Sequence, residues 1–235
     1  TSALIRDFVY RPLNIVILFF VDLGMPNHKR KLAAIVFTDI VGFTELTSID
    51  QSKASSLLSE QRSLLKPIVE SNNGSWLKEM GDGLLLIFDT VTDAVNATIK
   101  IQQVVNEIEH LDLRIGIHQG EILITENDVI GDDVNIAARI EPFSAPGGIA
   151  ISNKVNDALV REKEFETKYV GKPKLKGVGQ EVKIYCITSH GLPETKLSDV
   201  SAKLESNNSK LYTGIFILFL VISISYFFLI GKNNE

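Results

Sequence analysis

The sequence predicts an α+β sandwich followed by one membrane-crossing helix. Three observations predict it. Between residues 29 and 190, apolar runs of strand and helix type succeed one another as strand, helix, hairpin, helix, strand. A Gly81-Asp82-Gly83 tip joins two apolar runs, as a tight hairpin requires. The 21 residues from Leu211 to Gly231 carry no charge, and as a helix they reach about 31 Å, enough for a bilayer. The order of elements implies a mainly antiparallel sheet with helices covering one face.

Each element has its own warrant. LAAIVFTDI, from Leu32, is an apolar strand that ends on a carboxylate, Asp39. From Asp50 to Ser71, Leu57, Leu58, Leu64, Leu65 and Ile68 recur at helical spacing. SWLKEM and LLLIFD flank the Gly-Asp-Gly turn and form the hairpin. Ala94, Ala97, Ile101 and Val104 predict a helix over about Val91 to Glu109. LRIGIHQGEILI is a strand in which Gly116 or Gly120 allows a bend. The helix DDVNIAARI and the strand GIAIS follow, and EVKIYCITS alternates as a strand that buries Cys186. GLPETKLSDVSAKLESNNSK, residues 191–210, reads as a polar linker to the apolar run at 211–231, with a short tail at 232–235.

Composition excludes several classes of function. At a net charge of −5 the 235-residue chain has no general attraction for nucleic acid. With a single cysteine it forms no intrachain disulfide and no cysteine-based zinc cluster. Residues 1–28 contain PLNIVILFFV, only ten residues and too short to span a bilayer alone. Two accounts fit this segment: Met25 is the true start and residues 1–24 are upstream translation, or the chain is a fragment retaining part of an earlier hydrophobic segment.

The charged residues divide into groups with distinct chemistry. Asp82 is explained by the turn and Asp39 by a cap or loop, if each is taken alone. As a pair ending two adjacent strands, they converge on hard cations such as Mg²⁺. Lys78 and Asp128 are a surface lysine and a turn aspartate by default. Together they complement adenine, with lysine donating to the unprotonated N1 and aspartate accepting from the amino group, whereas guanine presents the reverse pattern. Asn135 and Arg139, four apart, share one helix face. The arginine is either a surface ion-pair partner of Asp132 or Glu141, or a permanent planar donor for charge developing on a phosphate. Lys176 belongs to a basic loop, and beside a triphosphate it would neutralise the terminal groups.

FTDIVGFTEL, LKEMGDGLLLIF, LRIGIHQGEIL, VIGDDVNIAARI and KLKGVGQEVKIY, in this order and spacing from about Lys29 to Ser189, together resemble the class III nucleotidyl cyclase catalytic domain. The resemblance implies a ferredoxin-like core with added elements. It implies that Asp39 and Asp82 bind two Mg²⁺ or Mn²⁺ per site, with the main-chain carbonyl of Ile40 also on a metal. Lys78 and Asp128 match the base-selecting pair of adenylyl cyclases, where guanylyl cyclases typically carry glutamate and cysteine. Asn135 matches the ribose-orienting asparagine, Arg139 the transition-state arginine and Lys176 the triphosphate lysine. The implied enzyme is a head-to-tail homodimer that turns ATP into 3′,5′-cyclic AMP and pyrophosphate. The metal carboxylates come from one protomer and the other five residues from its partner. Because ATP is cytosolic, the catalytic domain is expected on the cytoplasmic side of a single anchor at 211–231. The alternatives are a guanylate cyclase, which residues 78 and 128 argue against, and an inactive nucleotide-binding or dimerisation module, which the complete residue set argues against. The GG(D/E)EF signature of diguanylate cyclases is absent. The Gly-Asp-Gly tip and the Asp132-Asp133 pair are variations on the family pattern.

Overall fold

The structure, a computed structural model, describes residues 29–125 and 128–196. The hydrophobic segment before residue 29, most of the linker and the apolar run at 211–231 lie outside the described residues. Among the described residues no helix is long and apolar enough to cross a membrane.

Strand β1 (Lys29–Ile40) leads through α1 (Phe43–Ile49) and α2 (Gln51–Ser71) to the hairpin of β2 (Gly74–Met80) and β3 (Gly83–Phe88). Helix α3 (Val91–Val105) returns to β4 (Leu113–Ile124). These elements form a βαββαβ core whose strands lie in the order β2-β3-β1-β4, the ferredoxin-like arrangement. β5 (Val129–Ile130) pairs with β4, and α4 (Asp132–Ile140) runs into a 3₁₀ turn at Glu141–Phe143. The sheet then extends from β4 to β6 (Ile149–Ser152), β8 (Ile184–Ile187) and β7 (Thr167–Gly171), with α5 (Asn153–Leu159) between β6 and β7. Among the described residues only the β4–β6 pair is parallel.

Caps fix where the helices begin. The Asp50 carboxylate accepts from Lys53 N at 2.9 Å, and Thr90 Oγ1 accepts from Asp93 N at 3.0 Å. Helix α3 stops at Val105, four residues short of the sequence expectation, and the chain turns through His110 at φ 67° to deliver Leu111 into the core.

The period of two along β1 explains the layers. Ala34, Val36 and Ile40 face the larger core with Leu57 and Leu65 of α2, Ala94 and Ile101 of α3 and Val155 of α5. Ala33 and Ile35 face the opposite side, where they meet Leu85, Ile87, Ile122 and Ala137 of α4. Helices therefore cover both faces, which corrects the one-face expectation. The reason lies in β4: an added Cβ at Gly116 would stand 2.3 Å from Glu141 N, and one at Gly120 2.0 Å from Asp133 Cγ. The two glycines are the seat of α4. Strand β4 pairs with β1 in one unbroken register from Leu113 to Ile124, with no register shift at either glycine. Cys186 is fully buried, as its strand pattern predicts, and burial pushes its thiol pKa up. Thr195 is buried and accepts from Ala145 N at 2.9 Å, so chain read as linker from Gly191 packs on the body as far as this residue.

Candidate active site

Asp39 and Asp82 are brought together by strand pairing. β1 and β3 are hydrogen-bonded neighbours up to Thr38 opposite Leu84, so Asp39 and Gly83 stand at adjoining strand ends. An ideal Cβ at Gly83 would lie 3.0 Å from the Thr38 carbonyl and 3.9 Å from Asp39 Oδ1. The hairpin loop consists of Gly81 and Asp82, with φ +69° at Gly81, the position that a type II′ turn reserves for glycine. The Asp-Gly signal thus located the turn, but the central pair is Gly81-Asp82. This geometry aims Asp82 at β1, where its Oδ2 accepts from Ile40 N at 3.1 Å.

Gln61 on α2 was not singled out by sequence. It is buried on the stripe of Leu57 and Leu65, and its Nε2 donates to the Asp82 carbonyl at 3.2 Å, holding the hairpin tip. A glutamine in register with that apolar stripe was the available signal.

The donors at this end are hard oxygens, the chemistry that Mg²⁺ and Mn²⁺ prefer. Among the described residues no group of three His, Cys, Asp or Glu side chains gathers around one point. A cation held by Asp39 and Asp82 would complete its shell from the Ile40 carbonyl, water and phosphate, the usual manner for Mg²⁺ at a nucleotide.

Lys78 and Asp128 also meet. Lys78 Nζ stands 3.0 Å from Asp128 Oδ2, with both side chains 47% exposed. Fifty positions apart in sequence, they are joined because the β4–β5 hairpin carries Asp128 back over the face that Lys78 occupies beside Leu85. Asp128 is held locally: its N donates to Thr125 Oγ1 at 3.0 Å, and Val129 N donates to Asp128 Oδ1 at 2.9 Å. The Lys78 hydrogen bond, with that of Val129 N, holds the Asp128 carboxyl below the usual carboxylate range.

Asn135 and Arg139 lie on α4 as the spacing predicts, and Arg139 Nη1 donates to the Asn135 carbonyl at 2.8 Å. Both line a cleft of about 460 Å³ with Lys154 and residues 177–180, and neither Asp39 nor Asp82 is among its walls. Lys176 sits at the tip of a turn closed by Val178 N donating to the Leu175 carbonyl at 3.1 Å. Gly177 takes φ +71° there, 3.7 Å from Arg139 Nη2 if a Cβ is built on it. Buried Leu175 anchors the loop, and a Lys172–Glu181 ion pair closes its base.

One protomer therefore presents three groups: the Asp39/Asp82 strand ends, the Lys78–Asp128 pair, and the cleft of Asn135 and Arg139 with Lys176 on its neighbouring turn. The sequence also missed a fourth feature, the seating of Asp133. Its Oδ1 lies 2.9 Å from Nε2 of buried His118 and 3.3 Å from Lys154 Nζ, and its Oδ2 accepts from Glu121 N at 2.9 Å.

Comparison with known proteins places this geometry in a family. Residues 25–189 match the adenylate and guanylate cyclase catalytic domain. A protein of Rhizobium meliloti named as adenylate cyclase 3 is 32% identical over 165 residues, 67% of this chain and 28% of its own length. The crystal structure of an adenylate/guanylate cyclase/hydrolase from Silicibacter pomeroyi is 29% identical with a TM-score of 0.64, covering 72% of this chain and all of its own. The guanylate cyclase domain from Catenaria anguillulae, solved with GTP, shares the fold at 24% identity and a TM-score of 0.61, covering 68% of this chain and 98% of its own. The chain spans less than half the length of the curated relatives it matches, 28%, 20% and 42% for three of them. The residue pattern, the sheet order and these matches together make the chain a member of the class III nucleotidyl cyclases, the adenylate and guanylate cyclase catalytic domain family.

Proposed function

We propose that the protein is an adenylate cyclase, forming 3′,5′-cyclic AMP and pyrophosphate from ATP at sites shared by two head-to-tail protomers. The observation that carries the choice of nucleotide is the 3.0 Å approach of Lys78 Nζ to Asp128 Oδ2. A cationic donor and an anionic acceptor reach the same point, the pairing that adenine N1 and its amino group complement and guanine does not. A mismatched base would leave both groups facing like partners, a penalty larger than a lost contact alone.

In the reaction the ribose 3′-oxygen forms a bond to the α-phosphorus, the bond from that phosphorus to the bridging oxygen of pyrophosphate breaks, and the 3′-hydroxyl proton passes to solvent. Asp39, Asp82 and the Ile40 carbonyl would hold two divalent cations, which, when bound, lower the 3′-hydroxyl pKa and neutralise the triphosphate. Asn135 orients the ribose so that the attack is in line. Arg139, a fixed planar donor, takes the charge that gathers on the α-phosphate oxygens, and Lys176 holds the departing pyrophosphate end.

The separation of the residues into groups supports the two-protomer site, because the cleft of Arg139 does not include the carboxylates. The apolar run at 211–231 would anchor the enzyme with this domain in the cytoplasm, where ATP is found. The test is the full chain in detergent with ATP or GTP and Mg²⁺ or Mn²⁺, separating cyclic nucleotides by chromatography beside Asp39→Ala. Cyclic AMP from ATP, absent in the variant, is the expected result. Cyclic GMP as the main product would overturn the choice of base, and no product from folded dimer would overturn the activity.

A further inference from the structure

The Asp132-Asp133 pair is the variation in the sequence that the functional reading leaves unused, and its second member is the most heavily engaged carboxylate on α4. Asp133 lies in the first turn, with a side chain 18% exposed. Three donors converge on it: His118 Nε2 at 2.9 Å, Glu121 N at 2.9 Å and Lys154 Nζ at 3.3 Å. Two of them belong to β4 and one to α5, so the carboxylate ties α4 to both of its supports.

The seat is shaped for aspartate. A Cβ on Gly120 would meet Asp133 Cγ at 2.0 Å and Cβ at 2.2 Å, so the glycine is the floor on which the carboxylate rests. His118 supplies the wall. Its side chain is 2% exposed, and its Nδ1 is buried without a hydrogen-bond partner. A proton on Nδ1 would be an unsatisfied buried donor, so the ring is neutral and carries its proton on Nε2, facing Asp133. Burial agrees, holding the His118 pKa below its ordinary value against the opposing pull of Asp133. Asp133 is itself held below the usual carboxylate range: burial pushes it up, but the His118 bond, the Glu121 N–H and Lys154 outweigh that.

Asn135 and Arg139 stand two and six residues further along the same helix. The far end of α4 is set where the chain at Glu141 crosses Gly116, and its near end by Asp133 on Gly120. We propose that Asp133 is a positioning residue for cyclisation, locking the first turn of α4 to β4 through His118 and the Glu121 main chain and so fixing where Asn135 and Arg139 meet the nucleotide. The inference rests on the reading of α4 as the helix that carries catalysis. Its effect belongs on kcat, since Arg139 acts on charge that exists only in the transition state.

The conservative variant Asp133→Asn isolates the carboxylate from its shape. An amide oxygen can still accept from Glu121 N, but the amide nitrogen then faces His118 Nε2. The bond survives only if the imidazole moves its proton to Nδ1, where the proton has no partner.

The experiment uses the full chain as wild type, Asp133→Asn and Asp133→Ala, with kcat and KM for ATP, thermal melting, and ¹⁵N spectra of the histidines, of which there are four. The wild type is expected to show a neutral His118 with its proton on Nε2, and Asp133→Asn a shift to Nδ1. Both variants are expected to lose about 10- to 100-fold in kcat, as roughly 1 Å misplacements do, with KM changed less than threefold. Active wild type with both variants within twofold in kcat would overturn the inference alone, as would an unchanged tautomer in Asp133→Asn or a loss fully explained by unfolded protein. Wild type inactive on ATP and GTP would overturn the functional reading and this inference with it.

Discussion

Gly116→Ala puts a methyl group into the main chain that leaves α4. The ideal Cβ would stand 2.3 Å from Glu141 N, 2.5 Å from Glu141 Cα and 2.9 Å from Glu141 Cβ. Main-chain atoms cannot rotate away, so the helix end must lift by roughly 1.2 Å to restore contacts near 3.5 Å. Forcing one extra carbon into packed structure costs about 1–3 kcal/mol. At about 2–4 °C per kcal/mol for a domain of this size, melting should fall by roughly 2–12 °C. Glu141 follows directly on α4, so Arg139 moves with it, and a displacement near 1 Å is worth about 100-fold in rate. Far-UV circular dichroism against temperature gives the first quantity and cyclic AMP formation from ATP the second. Gly179→Ala, where an added Cβ meets nothing within 4 Å, is the melting control. If Gly116→Ala melts within about 1 °C of wild type and keeps its rate within twofold, the docking of α4 on β4 is not as described.

Other predictions address specificity and acid stability. Lys78→Glu combined with Asp128→Cys reverses the donor and acceptor pattern at the base, so the ratio of kcat/KM for ATP over GTP should fall by about 10-fold or more, as expected when the groups that hydrogen-bond a base are mismatched to it. An unchanged ratio would remove these residues from base recognition. His118 is held below its ordinary pKa by burial, so from about pH 6.5 downwards the unfolded chain binds a proton that the folded chain refuses. The unfolded state then carries more bound protons, and stability falls as pH drops, by up to about 1.4 kcal/mol per pH unit from this residue. Asp133, with its depressed carboxyl, adds loss of the same sign nearer pH 4. Urea midpoints from pH 7.5 to 5.5 should therefore fall more steeply in wild type than in His118→Asn, and parallel slopes would contradict the assignment. Gln61→Leu strips the Asp82 carbonyl of its buried donor and should cost about 1–3 kcal/mol in urea unfolding, with a higher Mg²⁺ concentration needed for half-maximal cyclisation. A neutral effect on both would show that the hairpin tip is held by other means.

Much of this was legible in the sequence because the signals are local. The apolar run of β1, the Gly-Asp-Gly hairpin and the stripes of α2 and α3 are set by periodicity and turn chemistry within a few residues. The spacing of four between Asn135 and Arg139 gives one helix face without tertiary knowledge. The face on which that helix packs was not legible, because it depends on Gly116 and Gly120 making room across the sheet, and in sequence they read as a bend. Short elements escaped for a similar reason. α1, α5 and β5 have two to seven residues, too few to show a period, and β7 at the sheet edge carries exposed polar positions. The site followed the same division. Asp39 and Asp82 announced themselves as strand ends, but Asp133 and His118 are fifteen residues apart and acquire meaning only from a 2.9 Å contact.

The central claim, a cyclase site assembled from two protomers, is tested most directly by mixing two dead variants. Asp39→Ala removes a metal carboxylate and Arg139→Ala the transition-state donor, so either homodimer should lack both working sites. In a mixed dimer one site would carry both defects and the other neither. Random exchange should then restore about a quarter of wild-type cyclic AMP formation, half of the dimers being mixed with one intact site each. Continued silence of the mixture, with exchange of protomers verified, would contradict the shared site, as would appreciable activity in either variant alone.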